Sequence, residues 1–192
     1  MHRAKVITEK NYKLQPFTID LSNKVQFMVN GIYDIFSEKL VNEYNTNMIV
    51  NDLKDAAQIL VTAIKGYETK TSYMYFLFDT DADKLIGILN IISPIGIKSS
   101  YPAIEYITNL ENEMDTTWAI EYYIEPKYWN KGICSYFVNA LLIILKEQGV
   151  KNITAISNTK NKISNHLLEK LNFKPFVKHE DYLGQIVWSK NL

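Results

Sequence analysis

Thr117–Gln148 reads TWAIEYYIEPKYWNKGICSYFVNALLIILKEQ, and the fold is decided by how this stretch is read. Trp118–Ile124 is rich in aromatic and β-branched residues, which favours a strand. Pro126 lacks a backbone donor and ends that strand in a turn. Trp129-Asn130-Lys131-Gly132-Ile133-Cys134 then leads into a helix. In it Ile133, Tyr136, Phe137, Ala140, Leu141, Ile144 and Leu145 recur at helical spacing, and Gly149 marks the stop. A strand, a tight loop and a helix start together favour an anion. The first helical amides have no intrahelical acceptor, and the helix dipole adds partial positive charge. Gly132 has no Cβ and lets a phosphate approach the backbone, while Lys131 and Lys127 add formal charge. One glycine before a helix is common in α/β proteins, so this stretch alone defines no function.

A second segment narrows the field. Asn161–Phe173 has the form N-x-x-S-x-x-L-L-E-K-L-N-F. Taken with the first stretch, in this order, it resembles the GNAT superfamily of acetyl-CoA-dependent N-acetyltransferases. Within that superfamily it looks most like the branch of ribosomal-protein N-terminal acetyltransferases, which carry P-x-Y-W-G-K-G-x-A before the helix and N-x-x-S-x-x-L-L-E-K-L-G-F after the next strand. The resemblance is specific over residues 117–189 and positional before that.

Length and composition agree with one such domain over residues 1–192. The chain is 47% hydrophobic, enough for a single core that buries roughly 70% of the unfolded surface. Its 21 basic and 21 acidic side chains cancel without a basic run, which argues against a nucleic-acid surface. No apolar run is long enough for a membrane span, and MHRAKVITEKNYK has no apolar signal core, so a cytoplasmic protein is expected. One cysteine permits no internal disulfide. With His2, His166 and His179 scattered, no metal-ligand spacing arises and no metal is expected.

Upstream, Tyr12–Ile19 reads as an edge strand interrupted by Pro16. Asp20 or Ser22 is placed to cap a helix with Val25, Met28, Val29, Ile32 and Phe36 inward. Asn42–Asn51 is a polar connection. Asp52 starts a second helix with Leu53, Ala56, Ala57, Leu60, Val61 and Ile64 on one face. Ser72–Phe78 and Lys84–Ile92 form an antiparallel hairpin around Asp79–Asp83, and Gly87 suggests a bulge or a close backbone approach. Ser93–Thr116 has no sustained period, carries Glu105, Glu111, Glu113 and Asp115, and is expected to be a surface insertion or to line the acceptor site. Downstream come a strand at Asn152–Ile156, a helix at Lys160–Leu171 and strands at Phe173–Lys178 and Gly184–Ser189, joined through Glu180-Asp181-Tyr182. Asn172 suits a left-handed helix end. Pattern alone supports α and β elements in one layered domain. The resemblance implies an α+β fold with a mostly antiparallel sheet of about seven strands flanked by about four helices.

It also implies a mechanism. The pantetheine arm of acetyl-CoA is expected in a V-shaped slot, bonded to backbone groups of Tyr122, Tyr123 and Ile124. The phosphates are expected on the loop and helix start formed by Trp129, Asn130, Lys131, Gly132, Ile133, Cys134 and Ser135. Asn161 either caps its helix or bonds the cofactor, and Ser164 is the expected proton donor to the departing thiolate. A tyrosine acid is excluded seven residues after Asn161, where Leu168 stands. An amine must be neutral to attack a thioester, and a carboxylate that takes its proton supplies typically about 10²–10⁴ in rate. Glu121 is the candidate base, and Glu125 is a weaker, solvated alternative. Relatives often carry glutamate at the place of Ala119. Asn130 replaces a loop glycine, and Cys134, at a small-residue position, is read as an inert thiol rather than a reactive one. The reaction expected is acetyl transfer to a primary amine, a protein N-terminus or a small molecule, by a monomer or homodimer. The alternative is a catalytically degenerate acyl-CoA-binding or sensor module. A nucleotide-binding regulatory domain is disfavoured, since no Walker or G-x-G-x-x-G motif is present.

Overall fold

The computed structural model describes residues 5–17, 24–45, 48–100, 116–179 and 184–192. Among these, eight strands form one sheet: β1 (Ile7–Glu9), β2 (Tyr12–Pro16), β3 (Ser72–Asp79), β4 (Lys84–Ile92), β5 (Thr117–Ile124), β6 (Asn152–Asn158), β7 (Lys174–His179) and β8 (Gln185–Asn191). Their order is β1-β2-β3-β4-β5-β6-β8-β7. The β5–β6 pair is parallel and the others are antiparallel. The helices are α1 (Val25–Ser37), α2 (Lys39–Asn42), α3 (Leu53–Thr69), α4 (Pro94–Ser100), α5 (Ile133–Glu147) and α6 (Lys162–Lys170). The expected mixed, mostly antiparallel sheet is present, larger by one strand and with two further short helices.

Both faces of the sheet are apolar because β3 and β4 alternate two hydrophobic sets. Tyr73, Tyr75 and Leu77 of β3 pack with Phe137, Leu141 and Leu145 of α5. Met74 and Phe76 pack with Met28, Ile32 and Phe36 of α1 and with Ala56, Leu60 and Ala63 of α3. At Gly87 the register shifts as a β-bulge, skipping Ile86. A Cβ at Gly87 would lie 2.9 Å from the Tyr123 carbonyl, so the close approach requires glycine.

Several expectations need correction. β2 is not the edge, because Ile7–Glu9 folds back on it through Lys10, which takes a left-handed φ of 53°. α3 turns its inward stripe to Ala56, Ile59, Leu60, Ala63 and Gly66, leaving Leu53, Val61 and Ile64 exposed. Likewise α5 buries Ile133, Phe137, Val138, Leu141, Leu142 and Leu145, while Tyr136 is exposed. Ser93 opens α4 in what read as an insertion without period, where its hydroxyl accepts from the Gly96 amide (3.2 Å). The expected Asp20 or Ser22 cap, the acids from Glu105 to Asp115 and the turn Glu180-Asp181-Tyr182 lie outside the described residues. Asp52 caps α3 by accepting from the Asp55 amide (2.8 Å), and Asn172 is left-handed at φ 62°. Among the described residues, no helix is long and apolar enough to cross a membrane.

Candidate active site

The site begins where two strands part. β5 pairs with β6 at Thr117↔Asn152, Trp118↔Ile153 and Ala119↔Thr154, and the ladder ends there. Along its other edge β5 stays bonded to β4 as far as Ile124. Residues 120–124 therefore border an opening of roughly 16 Å at about 3.3 Å per residue. The Glu125 amide donates to the Ile86 carbonyl (2.9 Å), so by strand alternation Glu121 and Tyr123 direct their peptides at β4. Tyr122 and Ile124 direct theirs into the opening. The Trp129 indole donates to the Ile124 carbonyl (2.7 Å) and closes the far end of the strand. Of the three residues expected to offer backbone groups, Tyr122 and Ile124 face the opening and Tyr123 does not.

Beside this end lies the start of α5. Asn130 and Gly132 both adopt left-handed angles, φ 58° and 77°. A Cβ at Gly132 would meet nothing within 4 Å, so the space in front of the helix is open. No side chain caps the helix and no acid sits in its first turn. The first ordinary helical bond is Tyr136 amide to Gly132 carbonyl (3.0 Å), which leaves the amides of Ile133, Cys134 and Ser135 without an intrahelical acceptor. The Ser135 hydroxyl donates to the Gly132 carbonyl (2.9 Å). Lys131 lies over the Tyr128 ring, 5.4 Å from its centre. Lys127 is committed elsewhere, to Glu125 at 3.2 Å. Geometry and partial charge here suit a phosphate.

One face of β5 carries hydroxyls. The hydroxyl oxygens of Tyr122 and Ser164 are 2.7 Å apart, within mutual hydrogen-bonding distance. Burial is the main cause that pushes the Tyr122 pKa far up, with Cys134 nearby adding to it and the bond to Ser164 opposing it. The phenol therefore keeps its proton. Burial also pushes the Cys134 thiol up to about 12, against the helix dipole, so this cysteine is a thiol and not a thiolate. Asn161 caps α6, its side-chain oxygen accepting from the Ser164 amide (3.0 Å). That bond occupies the oxygen and holds Ser164 toward Tyr122. Leu168 is fully buried in the core beside them.

The opposite face carries the acid. Glu121 stands directly across from Asn90 of β4, whose amide nitrogen donates to its carboxylate (3.1 Å). Tyr123 packs its ring against Phe36, and burial, then the charge of Glu121, keeps its phenol protonated. Ala119 is buried against Ile92 and Ile97, so the place where relatives often carry glutamate is sealed in apolar contact here. Glu125 is buried rather than solvated, because the continuing β4–β5 ladder sets it against Lys84 (3.0 Å) and Lys127. The hydroxyl of Tyr122 and the whole of Asn90 are the parts that sequence reasoning passed over. A polar residue inside the apolar run of KLIGILNII was the available signal for Asn90. Among the described residues, no three His, Cys, Asp or Glu side chains gather as a metal-binding group.

A mixed sheet that splits beside an uncapped helix start defines an α+β fold with an anion-compatible opening, and comparison with known proteins makes this specific. Residues 28–174 match the model of the acetyltransferase (GNAT) domain, and the chain belongs to that family. Comparison with curated protein sequences finds no significant match. Among solved structures, the ribosomal-protein-S5-alanine acetyltransferase from Vibrio fischeri superimposes with a TM-score of 0.72 at 17% identity, covering 97% of this chain and 96% of that one. The ribosomal L7/L12 α-N-protein acetyltransferase RimL, solved with coenzyme A joined to it through a cysteine disulfide, has a TM-score of 0.72 at 14% identity and 98% coverage of both chains. The microcin C7 self-immunity acetyltransferase MccE, solved with acetyl-CoA and AMP, has a TM-score of 0.65 at 16% identity, covering 96% and 94%. At these identities the likeness is one of fold.

Proposed function

We propose that the protein is an N-acetyltransferase that moves the acetyl group of acetyl-CoA onto a primary amine. The observation that carries this reading is the parting of β5 from β6 after Ala119, with the Tyr122–Ser164 hydroxyl pair on one face and Glu121 on the other. Family membership and the two neighbours solved with coenzyme A or acetyl-CoA support the cosubstrate. The open backbone at Gly132 and the acceptor-free amides of Ile133, Cys134 and Ser135 fit its phosphates. The peptide groups of Tyr122 and the Ile124 amide fit its pantetheine arm, as an added strand would.

In this reading Glu121 takes one proton from the incoming ammonium. The neutral nitrogen bonds to the acetyl carbon as the carbon–sulfur bond breaks, and a second proton passes from nitrogen to sulfur. The two hydroxyls assist on the sulfur side. Neither is acidic enough to hand a free proton to a thiolate of ordinary pKa, about 8.5. Ser164, steadied by Tyr122 and by the Asn161 cap, instead donates a hydrogen bond to the developing negative charge. Burial that keeps both tyrosines protonated preserves donors without adding charge to the slot.

The test is direct. Purified protein with acetyl-CoA is offered spermidine, a lysine ester and a tripeptide with a free α-amine, and release of free thiol is followed against acetyl-CoA alone. Amine-dependent thiol release supports the reading. Stabilisation by acetyl-CoA with no turnover on any amine would favour the degenerate acyl-CoA-binding module.

A further inference from the structure

β4 is built from Leu and Ile on both faces, and Asn90 interrupts it. The residue is only 6% exposed. Its amide nitrogen donates to Glu121, and a carboxylate can only accept, so the atom facing Glu121 must be that nitrogen. The side-chain oxygen Oδ1 is therefore the other atom, and it is buried without a hydrogen-bond partner. A leucine in this place would cost nothing in desolvation, whereas an unsatisfied buried oxygen destabilises the fold. Such an orphaned group in a native protein calls for a ligand that completes it.

Its surroundings say which ligand. Met74, Asn90 and Glu121 form one row across β3, β4 and β5 on a single face. On one side of the row lies the cluster of Phe36, Ile88 and Tyr123, and on the other the cluster of Ile92, Ile97 and Ala119. The apolar cover thus breaks at Asn90 and Glu121, one residue after Ile120 enters the opening between β5 and β6. A buried amide oxygen and a carboxylate, on side chains bonded to each other, thus lie next to each other in the row.

We infer that Asn90 binds the nitrogen of the acceptor, its Oδ1 receiving one N–H of a primary amine while Glu121 receives another. This rests on the acetyltransferase reading above and adds the selection of the amine to it. Once Glu121 holds one proton, a primary amine still has two N–H groups. One stays on Asn90 and fixes the direction of the lone pair. The other passes to sulfur, and an N-methyl amine, which has only one left at this stage, must release Asn90 to supply it.

Asn90→Leu and Asn90→Thr test this with the tripeptide Ala-Ala-Ala and with spermidine, each compared with an N-methylated counterpart. In Asn90→Leu the KM for the primary amine should rise about 10- to 100-fold, with the KM for acetyl-CoA and the thermal stabilisation by acetyl-CoA retained. The melting temperature should stay close to that of the parent, since the apolar side chain removes both an unsatisfied oxygen and the hydrogen bond to Glu121. Asn90→Thr, whose hydroxyl either donates to Glu121 or accepts from the amine but not both, should fall between. The preference for the primary over the N-methyl amine should shrink in both variants. An unchanged amine KM in Asn90→Leu, with the parent active, overturns this inference alone. So does a fall in melting temperature with both KM values rising together. A parent that acetylates none of these amines overturns the acetyltransferase reading as well.

Discussion

The two faces of β5 are built on opposite plans. On one, the Tyr122 and Ser164 hydroxyls satisfy each other at 2.7 Å, the Asn161 cap fixes the helix that carries Ser164, and Leu168 seals the core behind them. On the other, Glu121 and Asn90 share one bond and leave a buried oxygen over, between two apolar clusters. The first face is complete before anything binds. The second keeps one buried acceptor, Asn90 Oδ1, without a hydrogen-bond partner. In the proposed reaction the first face serves the cofactor and the second selects the acceptor.

That contrast can be broken by substitution. Glu121→Gln keeps the shape of the second face and removes the proposed base, so kcat on an amine should fall by about 10²–10⁴ while acetyl-CoA still stabilises the fold. Steady-state kinetics with thermal unfolding alongside would reveal any failure. If Cys134 is packed as described, with its pKa raised from 9.0 to about 12, its thiolate fraction at pH 8 is low. Alkylation by iodoacetamide should then be about 10³ slower than for a free cysteine, and ordinary reactivity would mean that the hydroxyl face is open. Tyr122→Phe and Ser164→Ala should each cost on the order of 10- to 100-fold in kcat, and the double variant little more, because the pair acts as a unit. Additive losses would separate the two hydroxyls. Far from the site, Lys70 ends α3 in a left-handed conformation at φ 60°, and Lys70→Gly should stabilise by about 1 kcal/mol, seen as a raised melting temperature with activity unchanged.

The unit from Thr117 to Glu147 is legible from sequence because its signals are local: an aromatic strand, a proline, a glycine and a helical period. The caps at Asp52 and the left-handed Asn172 are legible for the same reason. β1 is not, since Ile7–Glu9 is too short for a period and gains its place only by pairing with Tyr12–Leu14. The faces of α3 and α5 are displaced from the expected stripes because exposed Val61, Ile64 and Tyr136 look like core residues in a pattern alone. The Tyr122–Ser164 contact joins residues 42 positions apart and depends on how α6 sits over the sheet. Likewise, the peptide direction of Tyr123 follows from the β4–β5 register, which pairs it with Ile88, more than 30 residues away.

The central claim is that acetyl-CoA lies between β5 and β6 with its phosphates on the start of α5. Residue-resolved amide hydrogen exchange with and without acetyl-CoA tests it most directly. Protection should appear at Tyr122, Ile124, Ile133, Cys134 and Ser135, while the Tyr123 amide, already directed at β4, should not change. Acetyl-CoA protection spread elsewhere, or confined to Tyr123 and its β4 partners, would contradict the account.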